Sequence, residues 1–414
     1  MKAETHLIGA IANDPIATLG IVAQAGVTSE WFTDIDWIAV WDYFEKNLGE
    51  PEKCQVFAMY DRFSDRIEHK IEDAMSVAIP AQVESYIKTL REAWQKRLVR
   101  QVGEELINAG DDPFELVSHK MVELHDAFVE RSRLSVREVV NREIQTIQDT
   151  KEGKVIAGMK SCFDVVNDDW GGYQNGKLYV IGARPSVGKS TYLRQEANEF
   201  LRNEKRVGFC ALEMDEGEIR RLMACNELFC NEYNLRNGAI SQAIIDSWAI
   251  KMREQANLPL YINDDGGQSA DSIRAWAIQK HAKEGIDVLI VDYLQQMSHS
   301  MKNGLREGVG ITCNALRLLA KDLNIPVIVA SQLNRASEED ASRPDLRHLK
   351  ETGNIEADAY GCMLIHRKGK KGTLEHEFIN AKNRGGKVGT LQLMRMETQS
   401  FTFIENTLAT SYKG

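Results

Sequence analysis

Nine residues constrain this chain more than any others: Gly182-Ala-Arg-Pro-Ser-Val-Gly-Lys-Ser190. The apolar, β-prone run Lys177-Leu-Tyr-Val-Ile181 precedes them, and a helix-prone run, Thr191 to Phe200, follows. A strand, a glycine-bearing loop, Gly-Lys-Ser and a helix, in that order, form the context of a phosphate-binding loop. The helix start offers free N–H groups and a partial positive charge to an anion. Gly182, Ala183, Arg184, Pro185, Ser186, Val187, Gly188, Lys189, Ser190 and Thr191 are therefore the candidate phosphate cradle. Lys189 is placed to reach the β- and γ-phosphates, and the Ser190 hydroxyl to join a Mg²⁺ shell. The strict pattern carries glycine five residues before Gly188, where this chain has Ala183.

The flanking sequence extends that loop into a fold class. From about residue 156, short β-branched runs alternate with helical stretches, the pattern of a mainly parallel α/β sheet buried on both faces. The predicted strands are Lys177–Ile181, Arg206–Leu212, Val288–Val291 and Pro326–Ser331, then Tyr360–His366, Glu377–Ala381, Thr390–Met396 and Ser400–Ile404. Residues 1–110 read instead as a small all-α domain. Helical spacing of apolar residues runs through Glu4–Ile11, Trp37–Phe44 and Gln82–Ala109. The last presents Val83, Ile87, Leu90, Leu98, Val102 and Leu106 near one face. Between these domains, residues 111–155 read as a linker region with one amphipathic helix. Ser135-Val-Arg-Glu138 opens it as a capping box, and Val136, Val139, Val140, Ile144 and Ile147 form its stripe. That stripe needs a partner, either its own chain's core or a neighbouring subunit.

Composition narrows the setting. No apolar run approaches the ~20 residues of a membrane span, and no basic-then-apolar leader is evident. The seven cysteines are scattered without a second pair at zinc spacing, as free thiols in a reducing cytosol would be. A net charge of -10 argues against a general DNA coat but leaves room for a local basic channel.

Ligands of open α/β sheets bind at the carboxyl ends of the strands. Asp292 stands at such an end and could hold Mg²⁺, or simply cap the next helix. Glu213 ends another strand and could orient and deprotonate an attacking water, or be a solvated cap. Gln332 follows a third and could sense a γ-phosphate. Lys382 and Arg384, spaced i, i+2 before a glycine turn, would share one face of a strand. They could supply positive charge to a neighbouring subunit's site, or form a solvated hairpin tip. The tract His366–Lys371 reads as a solvated loop.

The motifs Gly182–Ser190, Leu212-Glu-Met214, Val291-Asp-Tyr-Leu-Gln295, Ser331-Gln-Leu-Asn-Arg335 and Lys382-Asn-Arg384 follow one another in that order. Together they resemble the DnaB-type replicative DNA helicases, ring hexamers with RecA-like motor domains, and the likeness covers nearly the whole chain. The resemblance implies an ATP- and Mg²⁺-dependent motor that translocates on single-stranded DNA as a homohexamer in the cytoplasm, with primase and a helicase loader as partners. It implies Glu213 as the base, Ser190 and Asp292 as metal residues, Gln332 as sensor and Arg384 with Lys382 as a trans-acting finger. It also puts the helix Ser135–Asp149 on the adjacent subunit. The family's DNA loop reads Arg-Glu-Ser-Gly before an Ile-Glu pair; here it is Lys350-Glu351-Thr352-Gly353, then Asn354-Ile-Glu356. Lys350 keeps the charge but loses the planar guanidinium fork. Lys350, Glu351 and Gly353 are thus the expected DNA contacts, with Arg306 a candidate in the glycine-rich stretch 303–310. Two other readings are a RecA-like recombinase or repair ATPase, and a non-motor ATPase acting as a loader or switch. The short stretch after the last strand would suit a phage or other mobile element.

Overall fold

The computed structural model describes residues 2–59, 62–108, 116–117, 120, 122–124, 127, 136–151, 158–297, 305–333, 343–352, 355–368, 374–397 and 402–405. It divides into two compact units, Met1–Asn141 and Arg142–Gly414.

The first unit is helical, with helices at Lys2–Asn13, Pro15–Ala25, Ile35–Lys46, Val56–Met59, Asp65–Val77 and Val83–Ile107. Local signals set the boundaries. Asp14 caps the second helix by accepting from the Ala17 N–H at 3.0 Å, with Pro15 at the first position, and Gly26 ends it in the left-handed conformation. Leu7, Ile8, Ile11, Val22, Trp37, Val40, Trp41, Phe44, Ile87 and Leu90 fill the core. The first and fifth helices approach so closely that a Cβ on Gly9 would lie 2.2 Å from the Ala74 carbonyl oxygen. In the long helix Val83–Ile107, Val83, Ile87, Leu90 and Val102 are buried, whereas Leu98 and Leu106 are half-buried. Its first half lies against this small core, and the burial thins beyond Leu90.

The helix Val136–Lys151 occupies the predicted linker position. Val140, Ile144 and Ile147 on its stripe are 48%, 51% and 68% exposed. Of the rest of that stretch, Ser135 and the side chains of Val136 and Val139 lie outside the described residues.

The second unit is built on a nine-stranded sheet of order β3-β2-β4-β5-β1-β6-β7-β8-β9. The strands are β1 Leu178–Ala183, β2 Val207–Ala211, β3 Leu260–Asn263, β4 Val288–Asp292 and β5 Val327–Gln332. They continue as β6 Gly361–Arg367, β7 Glu375–Asn383, β8 Leu391–Glu397 and β9 Thr402–Glu405. From β3 to β6 every pairing is parallel; β7, β8 and β9 add antiparallel. All eight predicted strands form, and β3 is an addition. Strands β1, β2 and β4 are buried throughout, as runs such as Val288-Leu-Ile-Val require when helices cover both faces. The core gathers Tyr173, Tyr179, Ile181, Tyr192, Phe200, Phe209, Ile290, Ile328, Met363 and Phe378. Neighbours β1 and β5 lead to strands on opposite sides, β2 and β6, and such a switch opens a crevice at the carboxyl ends. Among the described residues no helix is long and apolar enough to cross a membrane, and all seven cysteines are free.

Candidate nucleotide site

The loop after β1 leads directly into the helix Lys189–Arg202, as the sequence predicts. Ala183 is the last, fully buried residue of β1, registered against Gln332 of β5 and Ile365 of β6. That strand position needs no positive φ, which is why alanine is tolerated there. The conformational demand falls later. Gly188 sits at φ +114, where a Cβ would stand 2.6 Å from the Phe403 ring. Phe403 is itself fixed to the loop helix: its N–H donates to Gln195 Oε1 at 2.8 Å, and Gln195 Nε2 donates to its carbonyl at 2.9 Å. Ser186 adopts φ 57, and its carbonyl accepts from Arg367 Nη1 at 3.2 Å. Thr191 is buried and its hydroxyl accepts from Arg194 Nη2 at 3.2 Å, while Arg184 and Ser190 are half-buried and Pro185 is exposed.

Three strand ends converge on this loop. Burial holds Lys189 below the ordinary lysine value, against the opposing pull of the Asp292 and Glu213 charges. Asp292 ends β4 at 4% exposure, and its Oδ1 is buried without a hydrogen-bond partner. Such an oxygen is costly unless a ligand satisfies it. A divalent cation, held directly or through water, has the right chemistry. Among the described residues no group of three or more His, Cys, Asp or Glu side chains could hold a metal alone. One carboxylate, one hydroxyl and substrate phosphates are, however, the ordinary Mg²⁺ donor set, and Asp292 with Ser190 fits it. Glu213, exposed, lies two residues past β2, whose exit is held beside β4 by the Leu212 N–H donating to the Asp292 carbonyl at 2.9 Å.

Three further residues carry this site and have no role assigned from sequence. Gln295 brackets the end of β5: its Oε1 accepts from the Gln332 N–H at 2.9 Å, and its Nε2 donates to the Gln332 carbonyl at 3.1 Å and to Ser331 Oγ at 3.0 Å. Tyr293 lies under Lys189, whose Nζ is 3.7 Å from the ring centroid. Arg194, buried in the loop helix, feels the Asp292 charge and leaves its Nε unpaired. For Tyr293 and Gln295 the signal was their place in the motif Val291-Asp-Tyr-Leu-Gln295, which gives them no role by itself. For Arg194, a polar residue in a polar-looking helix, there was none.

Lys382 and Arg384 need one correction. They do not share a strand face. β7 ends at Asn383, after a register irregularity opposite Cys362 and Met363, so Arg384 opens the turn instead. It is exposed and its guanidinium donates to the Ala357 carbonyl, whereas Lys382 is half-buried and its charge reaches Cys313. Both lie away from the chain's own phosphate loop. Asn383 is registered with Gly361 and Gly361 with Tyr179, four residues before Ala183, or roughly 13 Å along the strand at ~3.3 Å per residue.

The expected DNA contacts are only partly described. The backbone of Lys350 and Glu351 belongs to the 3-10 helix Leu346–Thr352, and that of Arg306 to the helix Leu305–Leu323. Their side chains, and Gly353 altogether, lie outside the described residues, as do 369–371 of the basic tract.

Comparison with known proteins points the same way as this geometry. Residues 158–404 match the family described as DnaB-like helicase C terminal domain. The replicative DNA helicase DnaC of Bacillus subtilis is 27% identical over 345 residues, spanning 79% of this chain and 76% of that protein. The replicative DNA helicase DnaB of Treponema pallidum is 27% identical over 409 residues, 95% of this chain and 92% of its own. Among solved structures, a DnaB-like replicative helicase studied with its interactions with primase superposes with a TM-score of 0.62 at 22% identity, covering 97% of this chain and 99% of that one. A second solved structure, an ATPase domain on its own, gives a TM-score of 0.59 at 25% identity, over 64% of this chain and 98% of that domain.

Proposed function

This chain belongs to the DnaB-like helicase family and is an ATP-driven replicative DNA helicase; we propose that its hydrolytic site is completed between subunits of a homohexameric ring. ATP binds with its phosphates in the cradle Gly182–Thr191 and its γ-phosphate near Lys189. Mg²⁺ at Ser190 and Asp292 would offset charge on the β- and γ-phosphates. Glu213 orients the attacking water and takes its proton, and Gln332, held by Gln295, reports the state of the γ-phosphate. Lys382 and Arg384 act on the site of the next subunit.

The single observation behind the shared site is the separation of the two charged ends. By register, Arg384 lies at the opposite end of the sheet from its own phosphate loop, so it cannot stabilise charge there. A ring stacks one subunit's Arg384 end against the loop end of its neighbour. The exposed stripe of Val140, Ile144 and Ile147 supports the same assembly, since a docked neighbour would bury it.

ATP turnover reorders the segment after β5, which carries Lys350, Glu351 and Gly353 and, with Arg306, grips the single-stranded DNA backbone. Basic residues gathered in one channel reconcile DNA binding with a net charge of -10. Such a grip is sequence-tolerant and salt-sensitive. Primase and a loader act with this ring at the fork, in the cytoplasm. Arg384→Ala tests the assignment. Nucleotide binding should stay near wild type while kcat falls on the order of 10³-fold, as when a finger is removed. A variant that hydrolyses ATP normally on single-stranded DNA would sink the proposal.

A further inference from the structure

Tyr293 lies between Lys189 and the candidate base, Glu213. It follows Asp292 at the end of β4 and is 9% exposed. Its ring carries the Lys189 ammonium on one face, 3.7 Å from the centroid. Its hydroxyl accepts from Gln296 Nε2 at 3.0 Å, and burial together with the nearby Glu213 carboxylate holds the phenol above its ordinary value. An ammonium over a ring face has one side occupied. Its remaining N–H groups stay free to donate, and the ring offsets part of the cost of burying the charge. A phenol beside a carboxylate can donate one hydrogen bond to it and restrict its rotamers.

We propose that Tyr293 is a positioning residue for ATP hydrolysis, its ring holding Lys189 for the phosphates and its hydroxyl holding Glu213 for the attacking water. The two halves of the side chain then have separable effects. The ring governs nucleotide affinity, because Lys189 meets the phosphates in the bound state. The hydroxyl governs turnover, because Glu213 acts only in the chemical step. The hydroxyl half rests on the reading of Glu213 as the base; the ring half does not.

The test uses the full chain, mant-ADP as the binding probe, and steady-state ATPase with single-stranded DNA. Tyr293→Phe keeps the ring and should bind mant-ADP like wild type while kcat falls roughly 10- to 100-fold, the size of one lost hydrogen bond to a charged group. Tyr293→Leu removes both and should in addition weaken mant-ADP about 5-fold, the scale of one cation–π contact. Rescue of affinity, but not of turnover, by phenylalanine is the signature that a merely structural role would not give. Wild-type kcat in Tyr293→Phe overturns the hydroxyl half. Unchanged or tighter mant-ADP binding in Tyr293→Leu overturns the ring half, since the ring would then be inert or would compete with phosphate for the ammonium. Glu213→Gln separates the underlying reading: normal turnover there refutes Glu213 as base, and with it the hydroxyl half. A dead Glu213→Gln alongside a fully active Tyr293→Phe refutes the positioning role alone.

Discussion

Glu196 lies two turns along the phosphate-loop helix and is fully buried. Its carboxylate accepts from Ser161 Oγ at 2.5 Å, Tyr173 OH at 2.7 Å and the Cys162 N–H at 3.2 Å, tying the segment before β1 to the helix that carries Lys189. Burial outweighs these donors and pushes the carboxyl up from 4.5 to about 7. The folded protein therefore binds this proton more tightly than the unfolded chain does. The associated stability is fully present below about pH 4.5 and is lost as pH rises through about 7. That gap corresponds to about 3 kcal/mol. Glu196→Gln keeps the shape but cannot titrate. Urea unfolding of the wild type and of this variant, followed by circular dichroism from pH 4.5 to 8, isolates the effect as a difference between the two profiles. Wild type should lose about 3 kcal/mol relative to Glu196→Gln over that range. Parallel profiles, or wild type gaining relative stability as pH rises, would refute the reasoning.

Other perturbations follow from the same geometry. Gln295→Leu removes the three hydrogen bonds that bracket Ser331 and Gln332; it should cost about 1–3 kcal/mol in urea unfolding and reduce DNA-stimulated ATPase more than nucleotide binding. Arg194→Met takes a cation from beside Asp292, so the half-saturating Mg²⁺ concentration for nucleotide binding should fall roughly 3- to 10-fold. Gly188→Ala forces an L-residue to φ +114 against the Phe403 ring, and mant-ADP affinity should drop roughly 10-fold, the scale of 1–3 kcal/mol of backbone strain.

The unit of β1, its loop and the helix from Lys189, and most of the sheet, were legible because their signals are local. Val288-Leu-Ile-Val291 and Pro326-Val-Ile-Val329 can hardly be anything but buried strands, and Gly-Lys-Ser before a helix narrows the loop's chemistry. Strand β3 was not seen, because Leu260-Tyr-Ile-Asn263 is four residues long and follows Pro259. The residues that finish the site were hidden for a different reason. Gln295 matters because β4 and β5 are adjacent in the sheet, and Tyr293 because β4 ends beneath the helix that begins at Lys189. Both depend on register between segments far apart in sequence. Arg194 and Glu196 are buried although nothing in Lys189-Ser-Thr-Tyr-Leu-Arg-Gln-Glu196 marks charged residues for the interior. The expected common face of Lys382 and Arg384 failed because β7 ends at Asn383 and Arg384 already belongs to the turn, a boundary that i, i+2 spacing cannot anticipate.

The most direct measurement mixes Lys189→Ala subunits with Arg384→Ala subunits and follows ATPase activity across mixing ratios. Each variant alone should be inactive. In a mixed ring, an interface that pairs an intact Lys189 with an intact Arg384 from its neighbour regains a complete site. The account predicts recovered activity that peaks near equal proportions, with native mass measurement on the same samples showing mixed hexamers. Mixed hexamers without recovery at any ratio would contradict it, because the loop and the finger would then have to come from the same chain.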